Sequence, residues 1–313
     1  MPRPLRRIGT VLKYGTIHRV IDLGRLIPVS RTKATANTIQ LLLNSVAPLR
    51  RRVEKNMELA LGPGNVPANA SADYFHKLGM WISHAGQIYH RGVVDSGLLD
   101  WMVFDDSEVI LEEALSRGKG VIFAVPHLIA HELTAAIMAR KYPTVGLVRE
   151  SKYEPHMRVK MHYYNTAGQC KVIFRPRRGN VASDMRVCTR TLKEGNILVI
   201  TPDLLAGPSD GVKVNLLGHG VNLRPGIVSL SMVTGAPVVS AFLQWEDDRV
   251  LIHCREIEEY SRAGDRARTM TTGMQHWCDL FSEYLRQFPG SWQFWLDRHW
   301  SGVWQRGAGD GAK

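Results

Sequence analysis

The sequence predicts an α/β fold with a mostly parallel central sheet that is flanked by helices and preceded by an N-terminal helical region. From residue 121 onward, short β-rich apolar runs alternate with helical stretches, which is typical of a parallel sheet with helices on both faces. Before residue 118 the apolar spacing is helical. The hydrophobic share of 44% is ordinary for a folded chain, so disorder is excluded as the main state.

The N-terminal part supplies three predicted helices. The first covers 41–62 and ends at Gly62 and Pro63, which together stop a helix. A loop follows, and the second helix covers 74–92. The third covers 107–120 and ends in glycines.

The remaining chain supplies the predicted sheet and its covering helices. The predicted strands are VIFAV (121–125), TVGLV (144–148), KVIFR (171–175), ILVIT (197–201), VKVNLL (212–217), APVVSAFLQW (236–245) and RVLIHCREI (249–257). Helical stretches separate most of them, and a long amphipathic helix is predicted over 265–288. We therefore expect one α/β domain over 53–305, with its N-terminal helices at 53–118, and a disordered tail at 306–313.

Residues 1–52 form a basic arm. The net charge of the chain is +11, and this segment holds eleven Lys or Arg residues against Asp22 as its one acid. Such an arm predicts an acidic partner, which could be phospholipid headgroups, nucleic acid or an acidic carrier protein. Tyr14 is its one aromatic residue, so nucleic acid is disfavoured for want of a stacking platform. A solvated charged face is the alternative.

No segment is predicted to span a membrane. The uncharged run 34–49 is shorter and more polar than the ~20 apolar residues that a span needs, and Pro and Gly interrupt 225–245. No apolar stretch of the secretory type follows the basic N-terminus. Interspersed Leu and Ile in the arm allow a helix that lies on a membrane surface. The four cysteines form no CxxC pair, which favours a reducing, cytoplasmic setting.

In such folds the active site lies at the carboxyl ends of the strands, so residues that follow strands are the candidates. His127 follows VIFAV and Glu132 comes five residues later. A histidine with an orienting carboxylate suits a general base. The two can meet only if His127 lies in the turn before the helix, because five residues on a straight helix point to different faces. The N–H groups at that helix start could polarise a carbonyl.

Two other interpretations of the same residues stay open. His127 and His131 have the i, i+4 spacing of two metal ligands, with Glu132 beside them. However, the pattern is not HExxH and no third ligand is spaced nearby. A capped, structural histidine is the second alternative.

Further candidates follow other strands. Arg175 and Arg177 after KVIFR could bind phosphate or carboxylate, or could belong to a solvated loop. Asp203 follows ILVIT and could orient a hydroxyl, accept from an arginine or cap a helix. Arg224 precedes a predicted helix start. The absence of GxSxG, of a P-loop and of GxGxxG in a βαβ unit disfavours serine hydrolases, NTPases and dinucleotide enzymes.

The order of these blocks resembles the late acyltransferases of lipid A biosynthesis, within the lysophospholipid acyltransferase superfamily. The blocks that carry the resemblance are LRRRVEKNMELALG, LEEALSRGKGVIFAVPHLIAHE, VIFRPRRGN, LKEGNILVITPD, VKVNLLG, RPGIVSL, TGAPVVS and FPGSWQFWLDRHW. The family usually reads His-Leu/Phe-Gly-Asn-Trp-Glu, and here Ile129, Ala130 and His131 replace Gly, Asn and Trp. The replacement bears on the substrate more than on the reaction type.

The resemblance implies an acyltransferase-type α/β/α fold and an O- or N-acyltransferase. It would move a fatty acyl chain from a thioester donor, acyl carrier protein or CoA, to a glycolipid, lipid A-like or phospholipid acceptor. His127 would be the base, Glu132 its orienting partner, and Arg175, Arg177, Asp203 and Arg224 would bind substrate.

No metal and no cofactor beyond the acyl donor is implied. We expect a peripheral protein on the anionic cytoplasmic face of the inner or plasma membrane, with the basic arm 1–52 and the N-terminal helical region facing the membrane. A metal-dependent hydrolase using His127 and His131, and a membrane-binding protein without catalysis, remain the alternatives.

Overall fold

A computed structural model describes residues 28–310 except 98, 177–180 and 208, so most of the basic arm lies outside the described residues. The helices are α1 (Thr32–Ser45), α2 (Ala47–Leu61), α3 (Ala70–Asp95), α4 (Glu108–Ser116), α5 (His131–Met138), α6 (Glu154–Met161), α7 (Val181–Lys193), α8 (Gly226–Thr234), α9 (Arg266–Gln287) and α10 (Arg298–Asp310). The strands are β1 (Met102–Phe104), β2 (Val121–Ala124), β3 (Thr144–Arg149), β4 (Lys171–Arg175), β5 (Ile197–Ile200), β6 (Val212–Leu216), β7 (His219–Leu223), β8 (Val238–Glu246) and β9 (Arg249–Glu258).

Seven strands form one mixed sheet, the centre of an α/β fold, in the order β1-β9-β8-β2-β5-β3-β4. All neighbours are parallel except β8 and β9, which form an antiparallel hairpin. The strands β2 and β5 are apolar and buried at every position, as expected for parallel strands that are covered on both faces. The predicted mostly parallel sheet is therefore confirmed.

Two strands were not predicted. The strand β1 lies within the region that the sequence predicts as helical, and its three residues are too few to show a period of two. It is held at the sheet edge by pairing with β9. The strand β7 forms a separate hairpin with β6, through a turn in which Leu217 and Gly218 both have positive φ.

The first predicted helix is two helices. They separate at Val46, whose backbone is not helical (φ −77°, ψ 86°). Pro48 explains the break, because it has no N–H to donate and its ring would clash with the carbonyl of Asn44 in a continuous helix. The predicted stop at Gly62 is confirmed, since Gly62 follows α2 with φ 91°.

The C-terminal segment is built into the core. Four tryptophans (Trp292, Trp295, Trp300 and Trp304) are at most 2% exposed, and the ring of Trp292 lies 4.9 Å from those of Trp295 and Trp300. Asn56 of α2 donates to the Trp295 carbonyl at 2.7 Å. The helix α10 continues to Asp310, so residues 306–310 are helical and do not belong to a disordered tail, which the sequence predicts at 306–313.

Within the described residues, no helix is both long enough and apolar enough to cross a bilayer.

Candidate active site

Adjacent strands bring His127 and Asp203 together. Ala124 of β2 pairs with Ile200 of β5, and each candidate lies three residues past its paired position. The His127 Nδ1 and Asp203 Oδ1 atoms are 2.7 Å apart, and the His127 backbone N–H donates to Asp203 Oδ2 at 3.0 Å. The carboxyl ends of neighbouring parallel strands therefore place an acid directly behind a histidine.

Asp203 is fully buried and receives three hydrogen bonds. Besides the two from His127, the indole Nε1–H of Trp292 donates to Asp203 Oδ2 at 2.9 Å. Burial alone would raise the pKa of Asp203, but the charge and hydrogen bonds of His127 and Trp292 outweigh burial and lower it. Asp203 is thus ionised at neutral pH, and His127 Nδ1 must carry the shared proton.

His127 is held in one orientation, in which Nδ1 is hydrogen-bonded and Nε2 remains available to a substrate. Phe294 stacks on the imidazole with ring centroids 4.4 Å apart, and the Gln293 N–H donates to the His127 carbonyl at 2.9 Å. The side chain is 18% exposed. Because Nδ1 faces Asp203, Nε2 on the far side of the ring is the atom that can take a proton from a substrate.

Glu132 is not the hydrogen-bond partner of His127 in the described part of the chain. His127 does lie in the turn before α5, as the spacing requires, but Asp203 occupies its Nδ1. Glu132 Oε1 instead accepts from Gln293 Nε2 at 3.4 Å, and Oε2 lies 3.2 Å from His131 Nδ1. The helix α5 begins at His131, so Glu132 lies in its first turn, whereas His127 lies in the turn that precedes the helix.

His131 is a buried neighbour of His127. Their ring centroids are 4.7 Å apart, and His131 Nδ1 donates to the Leu128 carbonyl at 2.9 Å. Burial lowers the pKa of His131, which keeps it neutral at physiological pH. The turn between the two histidines contains Ala130 with φ 77°, a left-handed conformation that is uncommon for alanine.

The expected substrate-binding residues are scattered. Asp203 has no free face for a substrate, because it is buried behind His127. Arg175 Nε donates to Asp184 Oδ2 of α7 at 2.7 Å, and Arg224 lies 3.8 Å from Asp210 with 38% of its side chain exposed. Arg177 lies outside the described residues.

The metal alternative does not match the geometry at His127. Asp203 and the Leu128 carbonyl engage Nδ1 of His127 and of His131, which leaves Nε2 of each ring, but among the described residues no third potential ligand forms a group within 4.8 Å with both rings. Among the described residues, the one group of three potential metal ligands whose ligand atoms lie within 4.8 Å of one another is formed by Glu256, Glu258 and His276.

Residues 291–294, which we name the C-terminal brace, were missed as site residues. They run antiparallel to the His127 turn: Leu128 and Trp292 form a bridge, and the Ile129 N–H donates to the Ser291 carbonyl at 2.8 Å. The Trp-rich block is visible in the sequence, but nothing in its spacing shows that it contacts residues more than 80 positions away. The sequence does contain a hint that His127 and Asp203 lie near each other, because each residue follows a buried strand and a proline.

A family model described as bacterial lipid A biosynthesis acyltransferase matches residues 12–301, which is most of the chain. No curated protein matches it.

Proposed function

Since the chain belongs to the bacterial lipid A biosynthesis acyltransferase family and is therefore an acyltransferase, we propose that it moves a fatty acyl chain from a thioester onto a hydroxyl of a lipid acceptor. His127 is the general base of this proposal. The observation that supports it is the buried, ionised Asp203 on Nδ1, which leaves Nε2 as the proton acceptor.

The proposed reaction is a direct transfer. The acceptor oxygen attacks the thioester carbonyl carbon while His127 Nε2 takes the hydroxyl proton. Asp203 stabilises the imidazolium that forms. The C–S bond of the tetrahedral intermediate then breaks, and the imidazolium returns the proton to the leaving thiolate. Atoms and charge balance without an acyl-enzyme.

The developing oxyanion needs a donor, and most backbone donors of the turn are already used. The N–H groups of Leu128, Ile129 and His131 bond to carbonyls of the fold. Among the described residues, the N–H groups of Ala130 and Glu132 make no such bond, so we assign the oxyanion to this part of the turn at the start of α5.

Glu132 keeps a supporting role in this proposal. Its Oε2 atom is buried and has no hydrogen-bond partner within the described residues. Its negative charge lies beside the paired rings of His131 and His127, and so favours a positive charge on His127 during proton transfer.

The phosphate contacts of the substrates are proposed for arginines. Arg224 is partly exposed, and its ion pair with Asp210 is long at 3.8 Å. Arg175 is closer to its acid and would have to leave Asp184 in order to bind phosphate. Arg177 stays a candidate from the sequence. The donor is acyl carrier protein or CoA, and the acceptor a glycolipid, lipid A-like lipid or phospholipid.

We further propose that the enzyme works as a peripheral protein on the anionic cytoplasmic face of the membrane. The helix α1 and the following turn expose Leu41 (69%), Leu42 (63%) and Val46 (42%). Exposed basic residues flank them, among them Lys33 and Arg50. Apolar side chains between cations suit shallow insertion among anionic headgroups.

The central experiment offers labelled acyl carrier protein and labelled acyl-CoA, in separate arms, to total membrane lipid and detects acylated lipid by mass spectrometry. His127→Gln should lower transfer at least ~100-fold, the scale of a lost general base. His253→Gln is the matched control, because His253 also pairs with an aspartate, Asp105, at 2.6 Å, but outside the site. Near-normal transfer by His127→Gln would refute the mechanism.

The same assay separates the alternatives. Release of free fatty acid that depends on metal would favour the hydrolase. Vesicle binding with no turnover of either thioester would favour the protein without catalysis.

Membrane binding is tested by sedimentation with anionic vesicles. Leu41→Asp combined with Leu42→Asp should reduce binding, and high salt should reduce it further. Val109→Asp on α4 is the matched control, since Val109 is equally exposed at 63%. Equal binding by all variants would refute the proposal that this surface contacts the membrane.

A further inference from the structure

We propose that the C-terminal brace is a positioning element for the base, and that the indole N–H of Trp292 sets the pH at which the His127–Asp203 pair takes up its proton. This inference deepens the proposed function, because it takes His127 as the base. It concerns a segment that no strand-end argument would include.

The brace touches every part of the site at once. Its backbone pairs with the His127 turn, and the Gln293 side chain donates to Glu132. Phe294 covers one face of the His127 ring. A segment that contacts the base, its acid and the first turn of α5 can fix their relative positions.

Packing alone does not explain the direction in which the Trp292 indole N–H points. Its ring is fully buried among other aromatic rings, yet its Nε1–H points at Asp203 Oδ2. Another indole in the same cluster gives the contrast: Trp304 is equally buried, and its Nε1 has no hydrogen-bond partner within the described residues. A buried N–H aimed at a carboxylate stabilises the ionised form of that carboxylate.

The direction of the effect follows from charge. A donor on Oδ2 spreads the negative charge of Asp203 and weakens its hold on a proton shared with His127. Without that donor, the pair should hold its proton to a higher pH. Three other titratable groups face the pair: His131 and Glu132 from α5, and Cys278 from α9. All three are unchanged in every variant below.

The test compares Trp292→Phe with Trp304→Phe, which remove one indole each from the same cluster. Histidines labelled with ¹³C are titrated by NMR, and the His127 signal is assigned with His127→Gln. In Trp292→Phe the His127 titration midpoint should rise by about half a unit to one unit, as expected for losing one hydrogen bond to a charged group. In Trp304→Phe it should move by less than ~0.2 unit.

An unchanged or lower midpoint in Trp292→Phe, or an equal rise in both variants, would overturn the inference. If Trp292→Phe does not fold, benzothienylalanine at position 292 keeps the ring shape and replaces the N–H by sulfur, and the same rise is expected. The NMR readout does not need turnover, so absence of acyl transfer by the wild type would refute the proposed function separately. Where transfer is observed, the acid limb of its pH profile should move with the NMR midpoint.

Discussion

Two histidine–carboxylate groups in this protein respond to burial in opposite ways. At the carboxyl ends of β2 and β5, the pKa of Asp203 is lowered although the residue is fully buried. At the end of β9, burial raises the pKa of Glu258 to about 7. The histidine beside Glu258 is His276, at 3.5 Å on α9.

Hydrogen-bond donors account for the difference. Asp203 accepts from three N–H groups, whereas Glu258 Oε1 is buried with no hydrogen-bond partner within the described residues. Glu258 also faces Glu256, which shares the same histidine. Burial therefore neutralises a carboxylate only where the fold supplies too few donors. The three hydrogen-bond donors around Asp203 therefore keep the acid beside His127 ionised.

The largest expected effect comes from replacing the buried carboxylate of each group by an amide, which should matter at Asp203 and not at Glu258. Asp203→Asn should lower acyl transfer at least ~100-fold, because the amide cannot stabilise the imidazolium. Glu258→Gln should leave transfer within twofold, the roughly neutral result of a change outside the site. Parallel rates of labelled lipid formation test this. Equal losses in both variants would contradict the assignment of Asp203 to the site.

A smaller effect is expected at Glu132, which sharpens the roles of the two acids near His127. Glu132→Gln should lower transfer roughly tenfold, about the effect of one charge acting through neighbours instead of through a direct bond. Initial rates at saturating donor measure it. A loss larger than that of Asp203→Asn would make Glu132 the principal partner of His127 during catalysis.

The two groups also predict different pH dependence of stability. Because the folded pKa of Glu258 lies above its unfolded value, its contribution is present at low pH and is lost as the pH rises through about 7. For His276, burial would lower the pKa, but the neighbouring carboxylates outweigh burial and raise it, so its contribution is also lost with rising pH. Asp203 has a lowered pKa, and its contribution is lost only as the pH falls below the normal carboxyl range.

The wild type should therefore lose about 1 kcal/mol of unfolding free energy between pH 6 and pH 8 through the Glu258 group. Urea denaturation at both pH values measures the loss. Glu258→Gln should flatten the difference. A wild type that is equally stable at both pH values would show that Glu258 is ionised throughout.

The smallest effect concerns the turn that carries His127. Ala130→Gly relieves the left-handed strain of about 1 kcal/mol, loses a buried methyl group of similar value and adds about 0.5–1 kcal/mol of chain entropy, so the net cost should be at most about 1 kcal/mol. Ala136→Gly, in the helical interior of α5 and equally buried, has no strain to relieve and should cost about 1.5–2 kcal/mol. Thermal unfolding of both variants tests this, and equal costs would mean that Ala130 is unstrained.

The sequence by itself determined the fold class, the sheet-forming runs and the family, because apolar periodicity and the order of blocks are local properties of the chain. It also identified His127 and Asp203 as strand-end residues. It did not pair them, since pairing depends on which strands become neighbours: β2 and β5 are adjacent in the sheet although β3 and β4 lie between them in the chain.

Only the tertiary structure decided the partners of the site. It gave His127 an aspartate in place of Glu132, and it brought the brace across the turn from more than 160 residues away. A hydrogen bond between distant residues leaves no periodic trace in the sequence, because it depends on how whole elements pack. That is why the local pattern predicted which residues could act, and the packing of the brace determined which of them act together.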